Sequence, residues 1–230
     1  MIPLSLYQGD GATVFRWAPF LKFSGKERCS LIAIIDYGAG NLFSVQNALS
    51  YLDIPHQVTD DPQVIERANG IILPGVGAFP DAMNKLGDRR LIPVLRKEAQ
   101  KKPFLGICLG MQVLFSMGYE FQEMKGLGIL PGTVERIQGC GLKIPHMGWN
   151  SLHIRSSCPL LADVSEGEYV YFVHSFQAFP QKEHLAAWVD YGVEIPALVW
   201  KGQVFGCQFH PEKSADTGLR ILKSFGGLCR

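Results

Sequence analysis

The sequence predicts an α/β fold: a mostly parallel sheet flanked by helices, with additional β-strands in the C-terminal half. Three observations lead there. The early strands, such as residues 31–36 and 71–73, are uninterrupted apolar runs, the pattern of strands buried on both faces of a parallel sheet. Each is followed by a turn and a stretch of helical periodicity, so strand and helix alternate through the first half, as right-handed crossover units do. After Tyr119 the pattern changes to shorter extended segments separated by glycine and proline.

Residues 1–30 stand outside this pattern. They mix Gly9-Asp10-Gly11, Trp17 and Phe20 with a few basic residues and show no clean periodicity, whereas a transit peptide would be richer in serine and arginine. The expected organisation is an extension over 1–30, or a start codon placed too early, followed by one domain over 31–230. The strand at 31–36 runs into Tyr37-Gly38-Ala39-Gly40-Asn41 and a helix carrying Leu42, Val45, Leu49 and Leu52. This turn is not a dinucleotide fingerprint, because the third glycine is missing and no acidic residue closes the next strand. Asn41 suits a helix N-cap. A short strand ends at Val58, and Asp61-Pro62 opens a helix with an acid and a proline at its start.

The strand at 71–73 ends in Pro74-Gly75-Val76-Gly77, where two glycines let backbone N–H groups point outward into a crevice. Helical sequence through about Lys101 leads to an apolar strand that ends at Cys108. Further on, residues 133–137, 143–154, 169–173, 185–189, 197–200 and 204–209 alternate as strands do, and a helix over 214–225 closes the chain.

Composition narrows the function classes. With 230 residues and 47% hydrophobic content, the chain can bury a sizeable core. Apolar runs fall far short of the roughly 20 residues that cross a bilayer. Twenty-two basic and 21 acidic residues leave a formal charge of +1, which calls for neither nucleic acid nor an anionic membrane. Six cysteines are scattered without paired spacing or a zinc pattern, which reads as reduced thiols in a cytosolic protein.

The chain turns on Pro103-Phe104-Leu105-Gly106-Ile107-Cys108-Leu109-Gly110-Met111-Gln112. A strand ends in a cysteine and an amphipathic stretch follows at once (Met111, Val113, Leu114, Phe115), the strand–turn–helix order of a nucleophile elbow. Gly106 and Gly110 allow strand and helix to approach while the cysteine takes a strained conformation. A helix beginning at the cysteine would set its positive end beside the sulfur. Taken alone, Gly-x-Cys-x-Gly fits a buried structural cysteine as well as a nucleophile. The downstream His210-Pro211-Glu212 decides between them. Proline biases His210 towards extended backbone, so Glu212 can hold one ring nitrogen while the other faces Cys108: nucleophile, base and orienter. His56, His153 and His184 have no such setting and are expected to be ordinary satisfied residues.

Gly-Ile-Cys-Leu-Gly-Met-Gln with Phe-His-Pro-Glu resembles a class I (triad) glutamine amidotransferase domain, a flavodoxin-like fold. Asp36-Tyr37-Gly38-Ala39-Gly40-Asn41, Pro74-Gly75-Val76-Gly77, Pro145-His146-Met147-Gly148-Trp149-Asn150 and Tyr171-Phe172-Val173-His174-Ser175-Phe176 are similar, more narrowly, to the HisH glutaminase subunits of imidazole glycerol phosphate synthase. The resemblance runs from about Leu31 to the C-terminus. It implies that Cys108 attacks the carboxamide of glutamine, that His210 moves the proton, and that Glu212 orients His210. It implies an oxyanion site from the backbone of Leu109 and of Gly75, Val76 and Gly77, and substrate contacts from Gln112, Glu120, Ser175 and Phe176. It implies neither cofactor nor metal, and a heterodimer with a (β/α)8-barrel cyclase that meets Asn41, Trp149, Tyr171 and Lys213. Ordinary core packing is the competing expectation for Trp149. Three other readings stay open: a paralogue feeding another synthase such as a sugar-amidating one, a catalytically silent interaction subunit, and a cysteine hydrolase of another type.

Overall fold

A computed structural model describes residues 30–139 and 141–230. The expected extension, apart from Ser30, and Cys140 lie outside the described residues. The first half follows the alternating pattern: β1 (Ile32–Ile35), α1 (Leu42–Tyr51), β2 (His56–Thr59), α2 (Pro62–Arg67), β3 (Gly70–Gly75), α3 (Phe79–Asp88), α4 (Ile92–Glu98) and β4 (Phe104–Cys108). Asp61 caps α2 with a side-chain oxygen that accepts from Gln63 N at 2.8 Å, and Pro62 occupies the first helical turn. The helical sequence before Cys108 is two helices, interrupted at Arg90, whose φ is +56°.

After Cys108 come α5 (Leu109–Gln112), β5 (Phe115–Gly118), β6 (Met124–Lys125), β7 (Leu130–Arg136), β8 (His146–Ser151) and β9 (His153–Ile154). They are followed by β10 (Tyr169–His174), β11 (Phe176–Pro180), β12 (Leu185–Asp190), β13 (Glu194–Lys201), β14 (Val204–Cys207) and α6 (Ala215–Leu228). The main sheet has the order β2-β1-β3-β4-β14-β13-β12-β9. Its first five strands are parallel, and β13, β12 and β9 extend it in antiparallel fashion. Beside it stand the pair β10-β8 and a four-stranded sheet, β11-β7-β5-β6. The expected mostly parallel sheet with extra C-terminal strands is what the chain forms.

Period-two alternation divides the core. Ile32 and Ile34 of β1 join Val45 and Leu49 of α1 and Ile221, Leu222 and Phe225 of α6 on one face. Ala33 and Ile35 join Ile65 of α2, Leu86 of α3 and Leu95 of α4 on the other. Each fully buried large apolar side chain contributes about 1.5–3 kcal/mol relative to exposure.

Two local expectations differ from the structure. The helix expected to run from Cys108 through Phe115 stops at Gln112. The carbonyls of Val113 and Leu114 accept from Leu127, Ile129 and Leu130 instead of continuing the helical ladder, and Phe115 starts β5. The strand expected over 204–209 ends at Cys207, so His210 lies beyond it and Glu212 falls in a 3-10 turn, Pro211–Lys213.

Candidate active site

The site lies where the parallel strands end, as expected for an open α/β sheet. At the ends of β3 and β4, Gly75 is in register with Cys108. Cys108 has φ +54° and ψ −112°, a conformation a side chain adopts only when its surroundings hold it there. What holds it is backbone packed on backbone. A methyl group at Gly106 would lie 2.6 Å from the Gly110 carbonyl oxygen, and one at Gly110 only 1.8 Å from that of Leu73. Because α5 is one turn long, its dipole adds little at the sulfur; the strained elbow is the feature that presents Cys108.

His210 arrives from β14 in extended backbone, φ −99° and ψ 97°, as a residue before proline should. Its N–H donates to Tyr171 O at 3.0 Å, and its carbonyl accepts from Ser214 Oγ at 2.7 Å. Its Nδ1 is 2.8 Å from Glu212 Oε1, with both side chains almost fully buried. The other nitrogen, Nε2, is buried with no hydrogen bond of good geometry among the described residues, and with Nδ1 given to Glu212 it is the ring atom left to interact with the Cys108 thiol. Burial works to lower the pKa of the ring, but Cys108 and then Glu212 outweigh it and push it up to about 10. A thiol and an imidazole in this relation can exchange a proton, and a carboxylate fixes the imidazole's orientation.

Cys108 and His210 open onto a cavity of about 340 Å³. Of the residues expected to hold substrate, all four line it: Gln112, Glu120, Ser175 and Phe176. The amide nitrogen of Gln112 donates to Phe176 O and to Gln208 Oε1, both at 3.0 Å. Glu120 accepts from Phe79 N at 2.7 Å; burial raises the pKa of its carboxyl, the Phe79 bond opposes this, and Asp81 adds to the rise. Leu109, Val76 and Gly77 of the expected oxyanion group also line the cavity, whereas Gly75 sits inside β3 beneath α5.

The four expected partner residues lie outside the cavity. Asn41 caps α1 through Ser44 N at 3.3 Å. Trp149 is 52% exposed, so core packing does not account for it, and it meets Tyr171 edge-on across β8 and β10 at 6.0 Å between centroids. Lys213 is exposed on the turn that carries Glu212. His56 and His153 have local partners, Ile54 O and Glu166, as expected of ordinary residues.

Four site residues were not legible in the sequence: Gln208, His174, Pro145 and Val173, whose carbonyl oxygen is 3.9 Å from Cys108 Sγ. Gln208 is fully buried, with Nε2 3.8 Å from Cys108 Sγ; a lone polar residue in the apolar run at 204–209 was its signal. His174 and Pro145 line the cavity and stand in motifs already noted, but nothing in their local pattern separated them from their neighbours. The four cysteines among the described residues, Cys108 included, are free, and no helix among the described residues is long and apolar enough to cross a membrane.

A family model described as glutamine amidotransferase class-I matches residues 33–226. The imidazole glycerol phosphate synthase subunit HisH of Bacillus cereus (strain G9842) is 49% identical over 199 residues, covering 86% of this chain and 95% of that protein. The subunit of the same name from Desulfitobacterium hafniense (strain DSM 10664 / DCB-2) is 53% identical over 198 residues, 85% of this chain and 93% of that one. Among solved structures, a putative GMP synthase subunit from Thermoplasma acidophilum shares the fold with a TM-score of 0.67 at 19% identity, covering 88% of this chain and 95% of that one. A structure of PurLQS from Thermotoga maritima does so with a TM-score of 0.67 at 20% identity, over 85% and 96%. The chain belongs to the class-I glutamine amidotransferases and, within them, to the HisH glutaminase subunits of imidazole glycerol phosphate synthase.

Proposed function

We propose that Cys108, His210 and Glu212 form the glutaminase triad of this chain and that the ammonia it releases passes to a (β/α)8-barrel cyclase subunit. The observation that carries the reading is the placement of His210, held at Nδ1 by Glu212 and interacting through its other side with the thiol at a strained elbow. Cys108 sulfur attacks the carboxamide carbon of L-glutamine and forms a C–S bond. The thiol proton, taken up by His210, is returned to the departing ammonia as the C–N bond breaks. Water, deprotonated by the same ring, then hydrolyses the thioester to glutamate and restores the thiol.

The negative oxygen that forms in both steps meets backbone N–H groups of Leu109 and of the turn at Val76 and Gly77. Removing one such donor typically costs about 3–4 kcal/mol of barrier. Glu120 brings a carboxylate to the cavity wall that suits the substrate's ammonium group, while Gln112, Ser175 and Phe176 bound the rest of the amino-acid end. The cavity's size, about 340 Å³, accommodates one small amino acid.

Free ammonia is largely protonated at neutral pH and is then no nucleophile, so the product needs a water-poor path into a docked partner. Trp149 and Tyr171, with the 61%-exposed Met147 beside them on β8, offer an apolar face for that partner, near the turn of Lys213 through the bond from Tyr171 N to Ser214 Oγ, and Asn41 completes the proposed contact. Residues 31–230 act as one amidotransferase unit in this reading, with 1–30 an extension.

The test is Cys108→Ala in complex with the cyclase. Glutamine-dependent synthesis is expected to vanish while synthesis from added ammonium salts continues. Glutamine hydrolysis near the wild-type rate would refute the triad, and a wild-type complex active only with a different synthase would assign the chain to that synthase.

A further inference from the structure

Two buried histidines, His146 and His174, take no part in the chemistry above. They face each other across the β8–β10 pair and are 2% and 6% exposed. His146 Nδ1 is 2.9 Å from His174 Nε2, and His174 Nδ1 is 2.8 Å from the Phe176 carbonyl oxygen. A carbonyl only accepts, so His174 donates through Nδ1. Its Nε2 is therefore the acceptor, and His146 donates to it through Nδ1. Neither ring can change tautomer without breaking this chain.

Both rings are neutral near physiological pH. Burial lowers the pKa of His146 to about 4. Burial also lowers that of His174 to about 3, against the opposing bond to Phe176 and with help from His146 and His210. His146 is further held by stacking on Phe172 and Tyr191, with centroids at 4.6 and 4.0 Å.

The chain of hydrogen bonds ends at a carbonyl that Gln112 also serves. Phe176 O accepts from Gln112 Nε2 of α5 and from His174 Nδ1 of β10, so one oxygen ties together the segment after the nucleophile and the strand opposite it. His174, Ser175 and Phe176 line the same cavity as Cys108 and His210.

We propose that His174, locked by His146, is a positioning residue for glutamine: it pins the Ser175-Phe176 turn against the substrate and transfers no proton. This deepens the function proposed above and rests on its assignment of Ser175 and Phe176 to substrate binding. The alternative role, a second general base beside His210, would require Nε2 of His174 to be free, and that atom is committed to His146.

The test uses the full chain in complex with the cyclase. His174→Leu removes the donor, while His174→Asn places an amide N–H near the position of Nδ1. KM for glutamine is expected to rise roughly tenfold in His174→Leu, equivalent to about 1.4 kcal/mol, with kcat changed by less than about threefold. In His174→Asn, KM should return to within about threefold of wild type. Alkylation of Cys108 by iodoacetamide, followed by peptide mass spectrometry, should stay within about threefold of wild type in both variants.

An unchanged KM in His174→Leu would overturn the proposal. Equal impairment of the Asn and Leu variants would overturn it too, since ring packing and not the donor would then matter. Loss of Cys108 alkylation would show His174 acting on the triad and would also refute it. If His174→Leu does not fold, His146→Leu against His146→Asn poses the same comparison one bond further out, with the same KM pattern expected and the same result refuting it. Failure of the underlying function is seen separately, as glutamine hydrolysis that survives Cys108→Ala.

Discussion

Gly110→Ala asks how the elbow is built. The new methyl would lie 1.8 Å from the Leu73 carbonyl oxygen, 2.8 Å from its carbon and 3.2 Å from the Pro74 carbonyl carbon. All three neighbours are backbone atoms of β3, so no side chain can swing aside. To reach even 3.0 Å from that oxygen, starting at 1.8 Å, α5 or β3 must retreat by at least 1.2 Å. Either movement shifts the Leu109 N–H and the turn at Val76 and Gly77 relative to the Cys108 sulfur. A displacement of about 1 Å in a catalytic constellation costs roughly hundredfold in rate. Overpacking of this kind destabilises a fold by about 1–3 kcal/mol. Glutamate release by the complex should therefore fall about a hundredfold, and urea unfolding should show a loss of about 1–3 kcal/mol. Synthesis from ammonium salts should remain within about twofold of wild type, because the partner's chemistry is untouched. Glutaminase activity within about threefold of wild type would refute this reasoning, since it would mean that the glycine contact does not place the elbow.

Further expectations follow from single groups. Glu212→Gln should slow glutamine hydrolysis less than Cys108→Ala or His210→Ala does, because an orienter is partly backed up by packing; equal loss from all three would make Glu212 a direct participant. Tyr37→Phe removes a fully buried hydroxyl that has no hydrogen-bond partner among the described residues, and should be neutral or stabilising by up to about 1–2 kcal/mol in chemical unfolding. A clear loss of stability would reveal a partner for that hydroxyl. His146 and His174, with folded pKa values of about 4 and about 3, refuse protons that the unfolded chain binds near its ordinary value of about 6.5. Stability should thus fall as pH drops from about 6.5 towards 4, by on the order of a few kcal/mol, and the slope should flatten when both are replaced by asparagine. An unaltered slope would place the acid sensitivity elsewhere. The isolated chain should be a poor glutaminase that docking of the ligand-loaded cyclase switches on; moving a turn such as that at Gly77 from 1:99 to 99:1 takes about 5.5 kcal/mol of differential binding. Full activity without partner would end the switching idea and leave the triad intact.

Local chemistry in the sequence determined much of this protein. Apolar runs at β1, β3 and β4 specify buried parallel strands because a strand covered on both faces has no polar side to show. Glycines two residues either side of Cys108 specify an elbow because only their missing Cβ atoms let backbone meet backbone there. His210-Pro211-Glu212 specifies a paired imidazole and carboxylate because the two-residue spacing around a proline brings the side chains within hydrogen-bond reach. Tertiary structure alone decided the rest. The end of α5 at Gln112 depends on the amides of Leu127, Ile129 and Leu130, which take the carbonyls of Val113 and Leu114 just beyond it, a long-range pairing that no local period records. Gln208 reaches Cys108 across a separation of 100 residues. The tautomers of His146 and His174 are set by one carbonyl at Phe176, and each ring alone in its strand looks like any other histidine. Exposure of Trp149, which composition cannot distinguish from core packing, depends on which face of the small β8–β10 pair is covered, and that is decided by everything packed behind it.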